Sequence, residues 1–302
     1  MAVSQLAPVD RETTVEPWVL ADPTDVVTQD GTPIAAKLYV PARPKGAVLI
    51  AAAMGVPQTF YAKFAQWLAA EGFAAVTFDY RGMGESRRGS LRDVDADILT
   101  WAEQDTTAVL RALEQRAPGV PITWFGHSLG GQIVPFVKDR ASVAKIITLA
   151  TGNGYWRMNA PPLRRKVWLF WWVAQPVLTP LFGYFPGAKL GMVGDLPRNV
   201  IRQWKGWCMQ ADYAAGDGPA VRQLYEAVTT PITAFSFTDD EMMSDASITT
   251  LHQLYLNAPK TMRRLAPDEL GVERVGHFGA FREPMRNPLW KGRILRELAR
   301  TD

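Results

Sequence analysis

Short apolar runs alternate with helically spaced ones along most of this chain, and that alternation leaves few folds open to it. Residues 47–52 are continuously apolar, as expected for a parallel strand covered on both faces. Phe60, Phe64, Trp67 and Leu68 then recur at helical spacing up to residue 70, Gly72 interrupts, and residues 74–78 read as the next strand. A helix around 99–116 leads to a strand at 122–125, a helix from Leu129 and a strand at 144–150. After a gap the pattern resumes with a strand at 231–237, a helix at 246–256, a short strand at 261–265 and a last helix at 287–300. The expectation is an α/β fold: a mostly parallel central sheet flanked by helices, with right-handed crossovers. Ahead of it, residues 1–17 read as a mobile arm. Short strands follow at 18–20, 26–28 and 34–40, the last two joined as a hairpin through Asp30-Gly31.

Between about Gly152 and Val228 the alternation stops. This stretch holds Trp156, Trp168, Trp171, Trp172, Trp204 and Trp207, more than half of the 11 tryptophans. The simplest division is one core built from 1–151 and 229–302, with 152–228 as a helical insertion. Residues 167–185 are apolar enough to suggest a membrane span, but Pro176 and Pro180 would break its hydrogen-bond ladder, so no stable membrane insertion is expected. The net charge of +3 is small, and its one compact basic run is Arg164-Arg165-Lys166, so nucleic-acid binding is not expected. Cys208 is the only cysteine, which excludes an intramolecular disulfide. With no basic and apolar leader at the N-terminus, the cytoplasm is the expected location.

Gly126-His127-Ser128-Leu129-Gly130 lies directly after one expected strand and directly before one expected helix. A G-x-S-x-G sequence occurs often by chance; this placement gives it meaning. A serine on a sharp strand-to-helix turn projects its hydroxyl above the sheet, and glycines on either side relieve the crowding of the turn. The first amides of the helix, led by that of Leu129, point where an oxyanion would form. Ser128 is therefore the candidate nucleophile.

With this motif the chain resembles the α/β-hydrolase superfamily, in particular its lidded ester-hydrolase branch related to monoacylglycerol lipases and serine aminopeptidases. The resemblance runs from about Lys37 to Ala299. It also rests on Asp79-Tyr80-Arg81-Gly82-Met83-Gly84-Glu85-Ser86, which matches the family's D-x-R-G-x-G-x-S turn, a structural element that gives Asp79 no catalytic role.

The resemblance implies further roles. It places the general base on a loop after the last strand, where His277 stands in Val275-Gly276-His277-Phe278-Gly279. His127, beside the nucleophile, points away from it and is expected to pack or hydrogen-bond near the substrate pocket. His252 reads as a satisfied helix residue. The acid should follow the strand at 231–237, where Asp239 and Asp240 both fall in the family's window. Asp240 is the choice, because its neighbour can then face solvent; Asp239, Glu241 and Asp245 are expected to form a solvated loop or a helix cap. The second oxyanion amide is assigned to Met54, in a loop that lacks the family's His-Gly signature. The insertion becomes a lid whose aromatic rings, including Trp171 and Trp172, face inward and roof an apolar substrate pocket.

The expected function is a serine hydrolase that cleaves carboxylic esters or thioesters with an apolar acyl or aromatic group, through an acyl-enzyme. An acyltransferase on the same residues is the alternative. A non-catalytic ligand-binding member of the fold is the other, and the joint presence of Ser128, Asp240 and His277 counts against it. No metal or cofactor is expected, since the three histidines show no ligand spacing. The expected partner is a small-molecule ester; the oligomeric state is not legible.

Overall fold

The computed structural model describes residues 21–300; the expected arm and the strand at 18–20 lie outside them. Eight strands form one sheet in the order β1-β2-β4-β3-β5-β6-β7-β8. The strands are β1 (Asp22–Val27), β2 (Pro33–Tyr39), β3 (Gly46–Ala51), β4 (Phe73–Phe78), β5 (Ile122–His127), β6 (Val143–Leu149), β7 (Ile232–Phe237) and β8 (Lys260–Leu265). β1 and β2 pair antiparallel as the expected hairpin, and β2 joins β4 antiparallel; from β4 across to β8 every pairing is parallel.

Every residue of β3, β4, β5 and β7 is buried, as helices on both faces require. By contrast β8 is an edge strand with five of six residues exposed, and its Lys260, Arg263 and Arg264 suit an edge that must not pair with another chain. The core helix Ala62–Ala70 buries Phe64, Trp67 and Leu68, and Phe64 stacks on Trp67 at 5.6 Å. The helix over 98–116 contains one wider π-type turn at Trp101–Thr106.

The chain steps from β3 to β4 on one side and then to β5 on the other, so the order reverses between β3 and β5. In open α/β sheets the crevice at the carboxyl ends of strands at such a reversal is where ligands bind. The loops after β3 and β5 meet there. The helix expected from Leu129 is only one turn, Leu129–Gln132. Pro135 has no amide hydrogen to donate and its ring collides with the carbonyl four residues earlier, so the helix cannot continue past it.

The chain between β6 and β7 contains no sheet strand. Its main helices are an outer helix over 167–182, then Arg198–Cys208 and Pro219–Glu226. Arg92 Nε donates to the Phe182 carbonyl at 2.7 Å, and Tyr213 Oη donates to Gln132 Oε1 at 2.8 Å, which ties the insertion to the sheet end that carries the elbow. No helix among the described residues is long and apolar enough to cross a membrane.

Candidate active site

Ser128 sits between β5 and the one-turn helix with φ of 51° and ψ of −114°, a backbone conformation that side chains rarely adopt. The amide of Ser128 donates to the Leu149 carbonyl at 3.0 Å, and its own carbonyl accepts from Gly131 at 3.0 Å, so the turn is held from both sides. A side chain on Gly130 would run into the Ala51 carbonyl, and one on Gly126 would meet the Gly131 amide at 2.5 Å. The elbow therefore packs backbone against backbone, which explains the glycines.

His277 and Asp240 are both buried and meet directly: Nδ1 lies 2.9 Å from Asp240 Oδ2 and 3.2 Å from Oδ1. Asp240 Oδ1 also accepts from the amides of Met242 at 2.7 Å and Met243 at 2.9 Å, which fixes the carboxylate. The neighbouring acids do not form the solvated loop expected from the sequence. Asp239 Oδ2 accepts from the amides of Val275 at 2.8 Å and Gly276 at 3.0 Å, and Glu241 Oε2 accepts from the amide of His277 at 3.2 Å. Two carboxylates thus clamp the loop that carries the histidine. Asp245 is exposed in the first turn of the helix Asp245–Gln253, within 3.4 Å of Arg264, and Ser244 caps that helix.

His127 packs and hydrogen-bonds beside the cavity and is not among the residues that line it. Its ring is fully buried, Nδ1 is 2.9 Å from Tyr61 Oη, and Nε2 is 3.0 Å from the His277 carbonyl. A carbonyl can only accept, so the ring proton sits on Nε2 and Nδ1 accepts from the Tyr61 hydroxyl. Tyr61 Oη in turn accepts from the Ala53 amide at 2.9 Å. Burial, and then the neighbouring His277, push the His127 pKa well below its ordinary value, so the ring is neutral. One hydrogen-bonded chain thereby links the loop after β3, the elbow and the histidine loop. Nothing in the pattern of the sequence singles out Tyr61, whose partners lie 8 and 66 residues away.

His252 is a satisfied core histidine, donating from Nδ1 to the Ile248 carbonyl at 2.7 Å and accepting at Nε2 from Thr148 Oγ1 at 2.9 Å. Asp79 is structural: its carboxylate accepts from the amides of Gln58 and Glu85, both at 2.8 Å. A side chain on Gly84, whose φ is 41°, would overlap that carboxylate. Arg81 from the same turn pairs with Asp105 at 2.7 Å and Asp30 at 2.6 Å.

Ser128, Leu129, Met54 and His277 line a single cavity of about 280 Å³. The rest of the wall is largely apolar. Leu163, Val167, Phe170, Trp171, Met192, Val193 and Trp204 come from the insertion, with Met242, Met243 and Phe278 opposite and Gln132, Asn159 and Lys166 as polar groups. Trp171 is buried, stands edge-on to Trp204 at 5.1 Å, and its indole nitrogen is buried without a partner. Trp172 is not part of this wall. It is 48% exposed on the far side of the outer helix, against Trp156 at 5.2 Å, because it lies one residue around the helix from Trp171. No group of three or more His, Cys, Asp or Glu side chains among the described residues could hold a metal ion.

Comparison with known proteins agrees with this fold. A family model described as "Serine aminopeptidase, S33" matches residues 42–185, the span from just before β3 into the outer helix and beyond. The chain has the α/β-hydrolase fold. Among solved structures, the chain is similar to DcsB in complex with its substrate analogue, with a TM-score of 0.62 at 14% identity over 92% of this chain and 99% of that one. It is also similar to the N-acyl homoserine lactonase AidH, with a TM-score of 0.60 at 15% identity over 94% of this chain and 99% of the other. A monoglyceride lipase from Saccharomyces cerevisiae, bound to a substrate analog, has a TM-score of 0.58 at 17% identity over 86% of this chain and 90% of that one. Identities this low speak for the fold. No curated protein sequence matches the chain.

Proposed function

We propose that this protein is an α/β-hydrolase that cleaves carboxylic esters or thioesters with an apolar acyl group, by a Ser128–His277–Asp240 triad. The observation that carries the reading is the buried 2.9 Å pairing of His277 Nδ1 with Asp240 at the wall of an apolar cavity that also holds Ser128. With Nδ1–H given to Asp240, Nε2 is left as the acceptor a serine hydroxyl needs. Ser128 Oγ attacks the ester carbonyl as His277 takes its proton. The amides of Leu129 and Met54 receive the oxyanion, at the place where the loops after β5 and β3 converge. His277 then protonates the leaving alcohol or thiol, and a water deprotonated by His277 releases the acid from the acyl-enzyme.

The insertion acts as a lid in this scheme, with Phe170, Trp171 and Trp204 forming the roof over the acyl group. Few polar groups face the cavity, which disfavours a charged aminoacyl substrate and suits an aliphatic or aromatic acyl chain. A panel of p-nitrophenyl esters of graded chain length, with a thioester and an aminoacyl anilide alongside, tests this. The proposal expects turnover of esters and thioesters with an apolar acyl group and little of the anilide; turnover of the anilide alone would contradict it.

A further inference from the structure

The outer helix over 167–182 is apolar on both sides, and only one side is covered. Val167, Phe170, Trp171, Gln175 and Thr179 are buried against the body. On the opposite face Trp168, Leu169, Trp172, Val173, Val177 and Leu181 are between 45% and 70% exposed, with Trp156 against one edge of Trp172. Their spacing, in pairs four residues apart and then singly, keeps them on one side of the helix. A contiguous run of large apolar side chains facing water is costly in a protein that only needs to stay in solution, and such patches mark docking sites.

Charge selects the occupant. From residue 161 to residue 194 the chain carries Arg164, Arg165, Lys166 and Lys189 and no Asp or Glu. All four cations are exposed, and none pairs with a carboxylate among the described residues. Arg164, Arg165 and Lys166 immediately precede the apolar face. Aromatic and aliphatic groups on one face with unopposed cations beside them is the composition that rests in the headgroup region of an anionic bilayer. A second copy of the chain is a poorer occupant, because two such faces would bring like-charged runs together with no acid between them. Lys166, directly before the apolar face, and Met192 are exposed and also line the cavity.

We infer that the outer face of the helix over 167–182 docks this protein on anionic lipid surfaces, with the cavity mouth beside the membrane. This goes beyond the proposed ester hydrolysis, since docking needs no catalysis and is measured without it. The test is co-sedimentation of the full chain with vesicles of phosphatidylcholine alone or mixed with phosphatidylglycerol, at low and high salt, alongside light scattering without lipid. The wild type is expected to sediment with the mixed vesicles at low salt, weakly with phosphatidylcholine alone, and to be released by salt. Trp168→Ser/Val173→Ser/Val177→Ser should abolish sedimentation while leaving hydrolysis of a water-soluble ester and the melting temperature unchanged. Arg164→Gln/Arg165→Gln, which changes two exposed side chains, should weaken partitioning about thirtyfold, at roughly a kilocalorie per cation. The inference is overturned if the wild type stays in the supernatant at low salt, or if both variants sediment as it does. Equal sedimentation on both vesicle types, or a dimer that the triple variant dissolves, would also overturn it.

Discussion

At the scale of single residues, the loop after β7 shows how adjacent carboxylates take different tasks. Asp240 points inward to His277, while Asp239 and Glu241 hold the backbone of the histidine loop through its amides. The expected consequences differ accordingly. Asp240→Asn should lower kcat/KM on an activated ester by roughly four orders of magnitude, because the imidazole loses the carboxylate that sets its tautomer and stabilises its charge. Asp239→Asn should cost less than tenfold, because the amide oxygen can still accept from Val275 and Gly276, whereas Asp239→Ala should loosen the loop. Steady-state kinetics on the three variants checks this, and equal losses for the two Asn changes would remove the distinction. The family's window admits Asp239 and Asp240 alike, and the reason for preferring Asp240, a neighbour facing solvent, does not hold, since Asp239 accepts from two amides. The clamping roles of Asp239 and Glu241 are not legible in the sequence, since their partners lie 36 or 37 residues away.

At the scale of elements, the strands and the elbow were legible because their physics is local. Buried parallel strands read as continuous apolar runs, and a strand–G-x-S-x-G–helix junction has few uses. The insertion was legible only in outline. Its aromatic content marks an apolar element, yet inward and outward rings look alike in a helix that is apolar all round, so Trp171 and Trp172 read alike although they lie on opposite faces. The same placement yields a prediction. Trp171→Leu shortens the cavity roof without exposing the core, and should shift the chain-length optimum of soluble esters upward; Trp172→Leu should leave it in place. A p-nitrophenyl ester series on both variants decides this, and a shift produced by Trp172→Leu instead would place the acyl group elsewhere.

At the scale of the whole molecule, stability should depend on pH through the buried histidines. Burial lowers the pKa of His252 from 6.5 to about 4, only partly offset by its bond to the Ile248 carbonyl. A histidine whose folded pKa is depressed contributes fully above the unfolded value and loses that contribution as pH falls towards the folded one. Stability should therefore decline between about pH 6.5 and pH 4, by roughly 3 kcal/mol from this residue, with His127 adding to the same limb. Denaturant unfolding across this range checks it: His252→Gln should flatten the acid limb, and an unchanged slope would contradict the assignment. The central claim is that one serine, held at the sheet's switch point, carries covalent chemistry. Its most direct test is intact-protein mass after exposure to a fluorophosphonate probe, with circular dichroism to confirm folding. The wild type should gain one adduct, localised to Ser128, and lose ester hydrolysis in step with it, while folded Ser128→Ala should gain none and hydrolyse several orders of magnitude more slowly; a folded Ser128→Ala protein that still reacts with the probe or still turns over the ester would contradict the account.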